Sequence, residues 1–95
     1  MGNDKPVADE SAELLKFPCD FPLKVFGHNE ADFEELVLEL VKAHCAADTE
    51  FRVHRNESRK GKYQSLTISF TAHSRAQLDA IYQSLTDCER VVMSL

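Results

Sequence analysis

The sequence predicts a two-layer α+β sandwich, with four strands in one antiparallel sheet and two helices on one of its faces. Three observations carry this. Two segments place apolar residues at helical spacing, and each makes one stripe that needs a covering layer. The strand segments alternate polar and apolar residues, most clearly in residues 63–72, so their sheet has one apolar face. The order is strand, helix, strand, strand, helix, strand, and 95 residues suffice for one two-layer core but no second module.

Residues 1–13 are expected to form a flexible tail, since they hold Gly, Asn, Pro, Asp and Ser with little to bury. A single domain is expected over residues 14–95. A short helical turn is expected in residues 12–18, stopped ahead of Pro18 because proline disfavours helix in the residue before it. The first strand is read at residues 21–27. Phe21, Leu23 and Val25 take one face, and Lys24 and Phe26 the other.

Phe33, Leu36, Val37, Leu40 and Val41 then follow the i, i+3, i+4, i+7, i+8 pattern of a helix, and His44 extends the stripe. Asn29 is the expected cap, with Glu30 and Asp32 favourable against the positive end of the helix dipole. "TEFRVHRN" reads as the second strand: Phe51, Val53 and Arg55 share one face, Arg52 and His54 the other. The loop "ESRKGK" offers Gly61 for a turn at positive φ.

The third strand follows, with Leu66, Ile68, Phe70 and Ala72 against a face of Tyr63, Ser65, Thr67, Ser69 and Thr71. Ser74 and Gln77 have the spacing of a capping box, which opens a second helix with the stripe Leu78, Ile81, Tyr82 and Leu85. "RVVMSL" closes the sheet. Right-handed crossovers put the first and third strands in the middle. The arrangement is ferredoxin-like, a split β-α-β repeat.

The net charge of −5 argues against a general nucleic-acid binder, which shows a basic excess or a basic face. Cys19, Cys45 and Cys88 are odd in number and lack a C-x-x-C pair, which fits reduced thiols and a cytoplasmic location. No apolar run spans a bilayer, so no membrane contact is expected.

"ELLKFPCDFPLKVFG" followed by "SRKGKYQSLTISFTA" is similar to the YbeD-like family of small bacterial proteins of unknown function. The markers are Leu14, Leu15, Phe17, Pro18, Phe21, Lys24, Val25 and Gly27, then Ser58, Lys60, Gly61, Tyr63 and Ser65. The resemblance runs from residue 13 to residue 95. It implies the same ferredoxin-like fold, close to the small-molecule-sensing ACT regulatory domains of amino-acid enzymes. It implies no established activity and transfers no catalytic residue. Some members' genes lie near those of lipoate attachment. Where ACT domains commonly carry an Asp-Arg-Pro-Gly type of turn after the first strand, this chain has "GHNEA".

Three candidate sites emerge, each beside a plainer reading. Gly27, His28, Asn29 and Glu30 form the strand-to-helix junction, where a glycine admits a ligand and helix N–H groups receive an anion; the plainer reading is a bend and a cap. Arg55, Arg59, Lys60 and Lys62 make a basic hairpin suited to phosphate or single-stranded RNA, or simply a solvated turn. Lys24, Phe26, His54, Ser65 and Thr67 should lie on the sheet face away from the helices, as an interface for self-association or a partner. RNA-recognition modules place several aromatics there, and Phe26 and Tyr63 are few. The histidines show no metal-site spacing, and no catalytic grouping, metal site or cofactor site is expected. The expectation is a non-catalytic regulatory or adaptor module that senses a small anionic metabolite or binds a partner protein.

Overall fold

The computed structural model describes residues 16–95. The expected tail lies outside the described residues, as does most of the helical turn expected at 12–18. Phe17 and Pro18 form a bend that leads straight into β1.

The elements are β1 (Cys19–His28), α1 (Phe33–Lys42), β2 (Arg52–Glu57), β3 (Tyr63–Ala72), α2 (Arg75–Thr86) and β4 (Val91–Ser94). The sheet order is β2-β3-β1-β4, and every neighbouring pair is antiparallel. The first and third strands are central, as the crossover rule requires. They pair along their whole length, from Cys19 opposite Ala72 to His28 opposite Tyr63.

The alternation in β3 decides what is buried. Leu66, Ile68, Phe70 and Ala72 are buried, with Leu23 and Val25 of β1 beside them. Phe33, Val37 and Val41 of α1 and Leu78, Ile81 and Leu85 of α2 close over that face. Leu36, Leu40 and Tyr82 complete the stripes at their half-buried margins. Fully burying a side chain of this size stabilises by about 1.5–3 kcal/mol, so the stripes fix where the helices sit.

The two helix starts differ in one instructive way. Ser74 caps α2 as expected, its hydroxyl accepting from the Gln77 N–H at 3.0 Å. Gln77 reaches back one residue further than a capping box requires, and its Oε1 accepts from the His73 N–H at 2.7 Å. Asn29 does not cap α1. The cap is Asp32, without a side-chain capping bond, because a turn through residues 30–32 separates Asn29 from the helix.

Candidate functional site

Two of the three candidate sites meet in one network. The Asn29 side chain donates to the Gly61 carbonyl at 2.9 Å, and its backbone N–H donates to the Lys62 carbonyl at 3.0 Å. The junction therefore binds the base of the hairpin. Gly61 has φ of 70°, the left-handed conformation expected of it, and its N–H closes the turn onto Ser58.

Arg55 belongs to this network and not to the basic tip. It donates to Asn29 Oδ1 at 2.8 Å, to Gln64 Oε1 at 2.8 Å and to Glu57 Oε2 at 2.7 Å. Gln64 is the one buried polar side chain among the described residues. Its amide donates to the His28 carbonyl at 3.1 Å and the Glu30 carbonyl at 3.0 Å, so it seals the junction from beneath. Arg59, Lys60 and Lys62 remain exposed at the tip.

Gly27 has a different role from the one its position suggested. A Cβ there would run into the ring of Phe33 and would lie 2.8 Å from the Arg90 carbonyl oxygen. On that side the Phe33 ring and the Arg90 carbonyl already press against the glycine. Glu30 is paired as well: Arg90 donates to it at 2.8 Å and also to both carboxylate oxygens of Asp32.

The hydrogen bond from Arg90 holds the Asp32 carboxyl below its ordinary value, and these carboxylates hold the guanidinium more firmly protonated than usual. A depressed carboxyl contributes stability above its unfolded-state pKa and loses it as pH falls through the folded one. Arg90→Gln should therefore let Asp32 titrate at higher pH, toward the ordinary value of about 3.9. Carboxyl carbon shifts followed against pH check this, and an unmoved midpoint would refute the pairing.

The sheet face away from the helices gathers all five residues expected there into two adjacent rungs. One rung runs His54, Thr67, Lys24; the next runs Asn56, Ser65, Phe26, Met93. Lys24 and His54 are exposed, and Phe26, Ser65 and Thr67 are half-buried. The His28 and Tyr63 rings pack at the end of this face, centroids 5.1 Å apart. A cup of about 140 Å³ opens between Phe26, Tyr63, Ser65, Asn56 and Ser58.

A groove that sequence reasoning missed lies beside β2. Leu38 and Lys42 of α1, Ala46, Ala47, Thr49, Phe51 and Val53 line about 380 Å³ of it, with Lys42 over the Phe51 ring. Its one signal in the sequence is Leu38, an apolar residue off the main stripe of α1. The cysteines are free and half-buried, and burial raises the Cys45 thiol, which makes it a poor nucleophile. No described helix is long and apolar enough to cross a membrane.

The sequence profile of DUF493, described as a protein of unknown function, matches residues 12–95. A UPF0250 protein of Chromobacterium violaceum is 43% identical over 89 residues, covering 94% of this chain and 100% of the relative. One from Nitrosomonas europaea is 40% identical over 82 residues, covering 86% and 94%. Among solved structures, the solution structure of an H. pylori protein superposes with a TM-score of 0.70 at 19% identity, over 99% of this chain and 98% of that one. The ACT domain from GTP pyrophosphokinase of Chlorobium tepidum superposes with a TM-score of 0.59 at 13% identity, over 80% and 84%.

Proposed function

We propose, from the premise that this chain belongs to the DUF493 family, the YbeD-like family its sequence resembles, that it is a non-catalytic regulatory or adaptor module of the cytoplasm. It acts by binding a partner protein on the open sheet face. One observation carries the choice of a protein over a small anionic metabolite. The junction where a metabolite would sit is occupied by Phe33, Asn29, Gln64 and paired carboxylates, whereas the open face presents Phe26 and Met93 among hydroxyls without a covering layer. Apolar residues within a polar rim are the usual anatomy of a protein contact. The ACT domain of a GTP pyrophosphokinase supports the reading by likeness, since there the same fold is one part of a larger enzyme.

Affinity capture from the source cells, followed by reconstitution with the purified partner, tests this. Thr67→Arg places a charge at the centre of the face and should weaken the reconstituted complex at least tenfold with the melting temperature retained. Binding unaffected by Thr67→Arg would remove the face as the site. A melting temperature that instead rises with added amino acid or nucleotide, and no longer does so in Asn29→Ala, would return the site to the junction.

The second reading is single-stranded RNA. The His28–Tyr63 ring pair beside Arg59, Lys60 and Lys62 favours it, as a stacking platform next to cations. It requires binding that weakens steeply with salt and is lost in Lys60→Glu with Lys62→Glu. The overall charge of −5 and the engagement of Arg55 by Asn29, Gln64 and Glu57 weigh against it.

A further inference from the structure

We propose that β4 is an association edge. It pairs antiparallel with β4 of a second copy of this chain about a twofold axis near Met93 and Ser94, joining two sheets into one. The pairing uses the edge and leaves the open face to the adaptor role, so neither proposal stands on the other.

The sheet has two edges, and they differ in kind. β2 presents Arg52, His54, Arg55, Asn56 and Glu57, all exposed. Charges along an edge are the ordinary protection against strand addition. β4 carries none. Val92, Met93 and Leu95 are exposed there, Met93 at 49% and Leu95 at 60%, and with Tyr63 they are the large exposed apolar residues among the described ones.

The hydrogen-bond register shows what the edge offers. Lys24 and Leu95 exchange both backbone bonds, at 3.1 and 2.8 Å. Antiparallel ladders alternate, so the next pair, Val25 with Ser94, exchanges none. The N–H and C=O of Ser94 therefore turn away from β1, toward the open edge. A strand that adds there finds a donor and an acceptor on the same residue.

A second copy fits this edge better than a charged partner strand. The chain carries a net charge of −5, yet the strip from Val91 to Ser94 holds no charge, so two copies meet there without like-charge contact. It equally offers no charge by which an acidic or basic strand would be chosen. A twofold axis makes the contact self-complementary, each Ser94 offering what the other lacks. The same axis keeps both helical layers on one side. On the other side, Phe26, Met93 and Leu95 of both copies become one apolar stripe.

Sedimentation velocity over a range of concentrations reads the result. The wild-type chain should show a concentration-dependent dimer. Ser94→Pro removes the outward N–H, which β1 does not use, and proline is tolerated at such an edge position. Met93→Lys adds the charge that β4 lacks. Each should weaken the dimer at least tenfold with the circular dichroism spectrum retained, and Met93→Lys decides alone if Ser94→Pro does not fold. Thr67→Arg should leave the dimer intact. A wild-type chain that stays monomeric at the concentration of an NMR sample would overturn the proposal. So would a dimer that survives both β4 variants and is lost in Thr67→Arg, since that dimer packs face to face.

Discussion

Gly27→Ala should cost about 3 kcal/mol, at the upper end of what one added methyl group does in a packed interior. The added Cβ meets two obstacles of different stiffness. The Phe33 ring is the end of a side chain but is fully buried, and the Arg90 carbonyl, 2.8 Å away, is backbone held at the entrance to β4. Relief of one leaves the other. In a domain of this size the loss corresponds to a fall in melting temperature of roughly 12 °C or more. Phe33→Leu made together with Gly27→Ala should lose less than the two single losses summed, because the shorter side chain removes one of the contacts. Thermal unfolding of the four proteins in this cycle is the measurement. A Gly27→Ala protein as stable as wild type would show that the glycine is not held by close packing.

Gln64→Leu should cost about 2 kcal/mol, the scale for buried polar groups left short of a partner. The replacement is similar in size and apolar, so packing changes little. What changes is that the His28 and Glu30 carbonyls each lose a donor and Arg55 loses an acceptor. Gln64→Glu separates this from a volume effect. Its carboxylate would still accept from Arg55 but would face two carbonyl oxygens in a buried position, so its folded-state pKa is raised above the unfolded value of about 4.3. A raised carboxyl is penalised at neutral pH and relieved as pH falls through the folded pKa. The Gln64→Glu protein should therefore gain stability relative to wild type on mild acidification, while Gln64→Leu shows no such gain. Denaturant unfolding at pH 7 and pH 5 distinguishes them, and parallel behaviour of the two variants would sink the account.

The sheet was legible because its signals are local. Leu66, Ile68, Phe70 and Ala72 alternate within one strand, and that pattern alone sets the buried face. The five open-face residues follow from the same parity. Asn29 was misread as a helix cap because its side-chain partner, Gly61, lies on another element, and no spacing rule connects the two. Gln64 shares the parity of Leu66 and Ile68 but is polar, and its three partners come from β1, β2 and the turn that follows β1. The groove under Lys42 and Phe51 exists only where α1 passes β2. Sequence patterns reported the layers, and what lay between the layers needed coordinates.

The long β1–β3 ladder has a consequence for the order in which the chain folds. β3 meets β2 across a short loop, with Glu57 opposite Gln64, and that closure is fast. β3 meets β1 only across the whole of α1 and β2, from His28 opposite Tyr63 to Cys19 opposite Ala72. Pairings of high sequence separation carry a larger loop-closure entropy and form late. For that interval the inner edge of β3, destined for the middle of the sheet, stands open to any strand nearby. Tyr63, Ser65, Thr67, Ser69 and Thr71 line one side of it. Their hydroxyls make the half-built sheet a poorer template for aggregation than an apolar strand of the same length would be.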